Sequence, residues 1–140
     1  GTEETIQKQF VQGVNLFNSI NTTLKLIDDM EQMRARLLKL AGDKKQAKQA
    51  LALEEKIYQL EAKLTDVHAT GARMDIFRNP PQVLERFLAM GKEGIVSSAD
   101  SPPTDQQLEV YTITNQQLQE VEKAYTLLKQ NAEWKKIKIN

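Results

Sequence analysis

Cysteine is absent from the 140 residues of this chain, and histidine occurs once, as His68. The lack of cysteine excludes disulfides, thiolate metal sites and cysteine nucleophiles. A single histidine is too few for a histidine metal cluster, and no partner base accompanies the serines. The sequence therefore predicts no catalytic residue, no cofactor-binding residue and no metal ligand.

Long apolar runs and an excess of one charge are also missing. No stretch approaches the roughly 18 to 20 apolar residues that a membrane-spanning helix needs, so no membrane span is predicted. Lys and Arg together number 19, as do Asp and Glu, which gives a formal net charge of zero. Balanced charge provides no general attraction to nucleic acid or to an anionic membrane, and neither is predicted as a partner.

What the chain does have is a series of apolar residues at helical spacing. Near the N-terminus the series includes Phe10, Phe17 and Leu24, with further members between them at steps of three and four. Such steps return to one face of a helix. The pattern resumes over residues 51–67 and 108–128, and no segment alternates apolar and polar residues for long, as a strand would. The prediction is an all-α fold.

Glycine, proline and capping residues divide the chain into four predicted helices, over about 2–41, 43–67, 80–91 and 104–134. The predicted helix caps are Asp43, Asn79 and Thr104, the last in a capping box with Gln107. A connection of a few residues around Gly42 makes the first two helices an antiparallel hairpin. We therefore expect one domain over residues 1–140. It is an elongated antiparallel three- to four-helix bundle with a long helix one, a hairpin to helix two, a short helix three and a long helix four.

The interior of this bundle is predicted to contain the largest apolar residues of the four patterns. These are Phe10, Phe17, Leu24, Ile57, Leu60, Leu64, Phe87, Leu118, Val121 and Tyr125. The adjacent carboxylates Asp28–Asp29 and Glu54–Glu55 are predicted to face water, because neighbours in sequence point in different directions on a helix.

Four apolar residues lie outside the predicted helices or at their ends. Met74, Ile76 and Phe77 occupy a stretch without helical pattern, and Trp134 is near the C-terminus. Such residues either plug the bundle or contact another protein. They are the candidate interface residues.

Four short motifs carry a resemblance to a known family. They are Gln9-Phe10, a Leu- and Glu-rich hairpin segment over 53–64, Asn79-Pro80-Pro81, and the loop from Val96 to Thr104. In this order they resemble the helical C-terminal region of large bacterial sortilin-like proteins, which are often labelled glycosyl hydrolase with BNR (Asp-box) repeats. The resemblance implies that the chain is a C-terminal fragment of a larger exported protein, located outside the cytoplasm, whose Asp-box β-propeller holds any glycosidase site. No Asp-box (Ser-x-Asp-x-Gly-x-x-Trp) occurs here, so the hydrolase label does not transfer to these residues.

The leading hypothesis is a non-catalytic helical accessory domain that docks on its parent propeller or on another protein. A self-associating coiled-coil module, forming a homodimer, is one alternative. A second is part of a glycoside hydrolase whose active site lies outside this segment, and a third is an enzyme with a site in the loop 97–104.

Overall fold

A computed structural model describes residues 2–66, 82–92 and 104–131 of the chain. Over these residues the chain forms four helices, α1 (Thr2–Leu40), α2 (Ala47–Leu64), α3 (Val83–Lys92) and α4 (Asp105–Gln130), and no strand. The contacts among the helices make a helical bundle, with α1 touching α2, α3 and α4. The all-α prediction is confirmed.

The turn between α1 and α2 begins with two short-range hydrogen bonds. The Gly42 N–H donates to the Lys39 carbonyl at 3.2 Å, and the Asp43 N–H donates to the Leu40 carbonyl at 3.0 Å. Bonds of this i to i−3 type satisfy the last carbonyls of a helix. Because the turn occupies only residues 41–46, α2 returns antiparallel along α1.

The predicted cap at Asp43 is wrong. The helix begins later, at Ala47, and its N-cap residue is Gln46, which makes no side-chain capping bond. The Asp43 carboxylate instead accepts a hydrogen bond from the Lys45 N–H at 3.1 Å within the turn. An aspartate side chain that bonds to the backbone two residues on stabilises a turn and not a helix start.

The predicted capping box at the start of α4 is confirmed. The Gln107 N–H donates to the Thr104 hydroxyl at 3.1 Å, and the Gln107 side-chain oxygen accepts from the Thr104 N–H at 2.9 Å. The two bonds satisfy donors that the first turn of a helix otherwise leaves unpaired.

Side-chain contacts give the directions of the other helices. Ser19 meets Tyr111 and Asp29 meets Tyr125, so α1 and α4 run in the same direction. Phe87 lies against Tyr111 with ring centroids 5.9 Å apart, and Arg86 bonds to Gln117, so α3 runs antiparallel to α4. The chain therefore ascends in α1, descends in α2 and α3, and ascends again in α4.

The buried core draws on all four helices. Among the predicted core residues the structure buries Ile57, Leu64, Phe87, Leu118, Val121 and Tyr125, and it half-buries Leu60. The side chain of Phe10 lies outside the described residues.

The prediction that Phe17 and Leu24 belong to the core is wrong. Phe17 is 63% exposed and Leu24 is 47% exposed. The buried positions of α1 are Leu16, Ser19, Thr23, Ile27, Met30 and Leu37. A shift of one residue turns a side chain by about 100° around a helix, so burial of Leu16 places Phe17 outside.

Candidate functional site

The outer face of α1 carries a row, here called the outer stripe, that is made of the exposed apolar residues Val14, Phe17 and Leu24 and the half-buried Asn21. Its apolar members are 41%, 63% and 47% exposed, and Val11 beside them is 52% exposed. Val14 and the buried Ser19 are five residues apart, which corresponds to about 140° around the helix. The outer stripe thus lies on the side of α1 away from the core.

The segment that carries the outer stripe has no charge. Residues 9–24 include no Asp, Glu, Lys, Arg or His, although 27% of the chain is Asp, Glu, Lys or Arg. Depletion of charge together with exposed aromatic residues is typical of the central part of a protein–protein interface. The outer stripe is therefore the candidate interaction surface of the described residues.

Hydrogen bonds on the opposite side of α1 fix which face points outward. The Ser19 hydroxyl donates to the Asn115 side-chain oxygen at 2.9 Å and lies 2.9 Å from the Tyr111 hydroxyl. The Thr23 hydroxyl donates to the Ser19 carbonyl at 2.7 Å. Buried polar groups are tolerated when they are hydrogen-bonded, so Ser19 and Thr23 can face α4 while Phe17 faces outward.

The described residues include a buried ionic cluster between α1 and α2, made of Arg34, Glu54 and Glu61. The Arg34 Nε donates to Glu54 Oε1 at 3.0 Å, and its Nη1 donates to Glu61 Oε1 at 3.1 Å. The guanidinium also lies 5.1 Å from the centroid of the Tyr58 ring. One cation is thus shared by two buried carboxylates.

The prediction that Glu54 faces water is wrong. Glu54 is buried, whereas its neighbour Glu55 is exposed. Burial of a carboxylate is costly unless a charge or hydrogen-bond partner accompanies it, and Arg34 supplies both. Asp28 and Asp29 are exposed, as predicted.

The Glu61 carboxyl is held away from water. Burial raises its pKa from 4.5 to about 7, the Arg34 guanidinium opposes this rise, and the nearby Glu31 carboxylate adds to it. The neutral acid is therefore the form that the bundle core favours below neutral pH.

A second buried group, Tyr125, connects α4 to α1. Its hydroxyl donates to Asp29 Oδ2 at 2.5 Å, and the Lys129 ammonium lies 4.5 Å from its ring centroid and 3.6 Å from the same carboxylate. Burial raises the pKa of the Tyr125 phenol, and the Asp29 and Glu61 carboxylates raise it further. The phenol therefore stays a hydrogen-bond donor at physiological pH.

A small cleft of about 280 Å³ lies where α2, α3 and α4 meet. Arg86 on its wall donates to the Gln117 side-chain oxygen at 2.8 Å. Small-molecule sites are typically larger, roughly 300 to 1,000 Å³, and Glu61 does not line this cleft. None of the three residues of the ionic cluster lines this cleft.

Most of the predicted site residues lie elsewhere. The candidate interface residues Met74, Ile76, Phe77 and Trp134, the cap Asn79 and the loop 97–103 are all outside the described residues. Within the described ranges no group of three or more His, Cys, Asp or Glu could hold a metal ion. None of the helices described is both long and apolar enough to cross a membrane.

A comparison with protein-family models, curated proteins and solved structures finds no match to this chain. The resemblance to sortilin-like proteins therefore stays a prediction.

The ionic cluster has a signal in the sequence that residue-by-residue analysis missed. Glu54 and Glu61 are seven residues apart and so share one face of α2, and Arg34 falls between the buried Met30 and Leu37. The spacing alone places the two glutamates on one face of α2, and the burial seen in the structure identifies that face as part of the core.

Proposed function

We propose that this chain is a non-catalytic helical docking domain and that the outer stripe of α1 is the surface by which it binds another protein surface. The observation that carries the proposal is the exposure of Val14, Phe17 and Leu24 on a charge-free segment. Burial of apolar area contributes roughly 25 cal/mol per Å² removed from water, which makes such a row a source of binding energy.

The state of the acidic groups supports a non-catalytic role. Glu61, whose pKa is raised to about 7, would suit proton transfer in an enzyme. A general acid or base must come within hydrogen-bond reach of a substrate, and Glu61 is fully buried. Its titration fits a structural role inside the bundle.

The partner that fits the predicted family context is the β-propeller of the parent chain, outside the cytoplasm. In that setting the domain serves intramolecular docking, and any glycoside hydrolase activity belongs to the propeller. Binding to a separate protein would use the same surface and the same burial of apolar area.

The absence of cysteine permits a direct test of whether the outer stripe is covered in the native setting. Phe17→Cys and Leu38→Cys each give a single thiol, and the two positions are similarly exposed, at 63% and 50%. In the purified, dilute chain we expect a maleimide reagent to label both at similar rates. If the partner is another part of the parent protein or a separate protein, we expect labelling at position 17 to slow at least about tenfold in an extract of the cells that make the protein, while position 38 is unchanged. Equal rates at both positions in the extract, in a chain that is also monomeric at about 1 mM, would contradict the proposal.

A further inference from the structure

The spacing of the outer stripe suits one kind of occupant, another helix. Val14, Phe17, Asn21 and Leu24 follow one another at steps of three, four and three, which is the a, d, a, d pattern of a two-helix seam. The core face of α1 uses a separate heptad series, Leu16, Thr23, Met30 and Leu37. The helix thus carries two seams, and the described residues of the other helices cover the one that contains Leu16.

We infer that the outer stripe binds the same stripe of a second copy of this chain, as a parallel pair of α1 helices in which Asn21 faces its counterpart. The inference rests on the proposed docking function and takes a second copy, in place of the propeller or a separate protein, as the occupant of the outer stripe. The buried face of α1, which α2, α3 and α4 contact, lies on the other side of the helix from the outer stripe.

The charge distribution favours a second copy over a charged partner. A two-fold interface brings the same surface patch of both copies together, so a charged residue near the axis meets a like charge. Like charges at an interface oppose binding. Residues 9–24 contain no charge, and the nearest charged residues, Lys8 and Lys25, lie at either end of the segment. The stripe is therefore electrostatically compatible with itself.

Asn21 contributes to the choice of partner arrangement. A single asparagine at an a position of a parallel pair bonds to its counterpart and specifies the register and the two-stranded state, at a cost in affinity. Asn21 is the one polar member of the outer stripe and lies at such a position. A shift in register by one heptad would place Asn21 against Val14 or against the charged Asp28.

The length of the stripe limits the strength of the association. From Val11 to Leu24 it spans about 20 Å of helix, or two heptads. Interfaces that bury less than roughly 1,200 Å² in total are weak or transient. We therefore expect a dissociation constant on the order of 100 µM.

Sedimentation equilibrium between about 10 µM and 1 mM tests the inference. The weight-average mass is expected to rise from 15.9 kDa towards twice that value. Phe17→Glu is expected to raise the dissociation constant at least about tenfold, whereas Asn21→Leu is expected to lower it or to give larger assemblies. Circular dichroism spectra and unfolding midpoints close to those of the unsubstituted chain show that each variant folds.

Leu38→Glu is the matched control. Leu38 is 50% exposed and lies two heptads beyond Leu24 on α1, but the charged residues Asp28 and Glu31 separate it from the stripe. We expect the dissociation constant of this variant to lie within twofold of that of the unsubstituted chain. A mass of 15.9 kDa at 1 mM, or equal weakening by Leu38→Glu and Phe17→Glu, overturns the inference. If the chain stays monomeric while position 17 is protected in the cell extract, the second-copy inference fails and the docking proposal stands.

Discussion

Replacing Glu61 by glutamine should remove a pH dependence from the stability of the bundle. Glutamine keeps the size of the side chain and cannot ionise. In the native chain the Glu61 carboxyl is fully buried, and burial raises its pKa to about 7 from the ordinary value of 4.5. The folded and unfolded chains therefore hold the Glu61 proton over different pH ranges.

The size and sign of the effect follow from this difference. Below about pH 4.5 Glu61 is protonated in both states and contributes nothing to the pH dependence. As the pH rises from 4.5 to 7, the unfolded chain loses the proton first, so the free energy of unfolding falls. A difference of 2.5 pKa units at about 1.36 kcal/mol per unit gives a loss of at most about 3 kcal/mol, complete above pH 7.

The assay is urea unfolding followed by circular dichroism at pH values from 4 to 8.5. Because other carboxylates titrate in the same range, the measured quantity is the free energy of unfolding of Glu61→Gln minus that of the unsubstituted chain. This difference should increase by up to about 3 kcal/mol as the pH rises across the range.

Glu55→Gln makes the same chemical change on the exposed face of α2 and serves as the control. We expect the Glu61→Gln difference to change more with pH than the Glu55→Gln difference. A Glu61→Gln difference that stays constant from pH 4.5 to 8 would show that folding does not raise the pKa of Glu61.

Three further substitutions test the polar contacts of the bundle by the same unfolding assay. Arg34→Gln leaves two buried carboxylates without their cation and should cost about 3 to 5 kcal/mol at pH 8, with a smaller cost at pH 4.5 where Glu61 is protonated. Tyr125→Phe removes the hydrogen bond to Asp29 but keeps the buried ring, and a cost of about 1 to 2 kcal/mol is expected; no change would show that this bond is not formed in solution. Thr104→Ala removes the capping box of α4 and should cost about 1 kcal/mol, whereas Thr104→Asp should retain most of the stability.

Local sequence signals predicted the helices because they depend on a few neighbouring residues. The capping box at Thr104 is such a signal, since both of its bonds join residues three apart. The cap at Asp43 failed because the same residue type also stabilises turns, and the choice between the two depends on where α2 begins to pack against α1.

The core face of α1 could not be chosen by hydropathy alone. Phe17 and Leu24 lie seven residues apart, and Leu16 and Met30 lie fourteen apart, so both pairs repeat along one face of the helix. The two faces are offset from each other by one position in the sequence. The structure selects the face that contains Ser19 and Thr23, because Tyr111 and Asn115 on α4 satisfy the buried Ser19 hydroxyl. That satisfaction depends on residues more than 90 positions away, which no local pattern reports.

The buried charges were missed for a related reason. A glutamate such as Glu54 is normally exposed, and only its distance to Arg34 on another helix makes its burial acceptable. The spacing of the two glutamates shows that they share a face, but it does not show that the face is buried.

Helix α1 buries its Leu16 face within this chain, and we propose that its exposed Phe17 face binds a partner. The most direct test compares the urea-unfolding free energies of Leu16→Glu and Phe17→Glu in a dilute solution, where self-association is negligible. Leu16 is 2% exposed and Phe17 is 63% exposed, although they are adjacent in sequence. We predict that Leu16→Glu costs at least about 3 kcal/mol, because it places a carboxylate in the core, while Phe17→Glu costs less than about 1 kcal/mol. A Phe17→Glu cost equal to or greater than that of Leu16→Glu would contradict the claim.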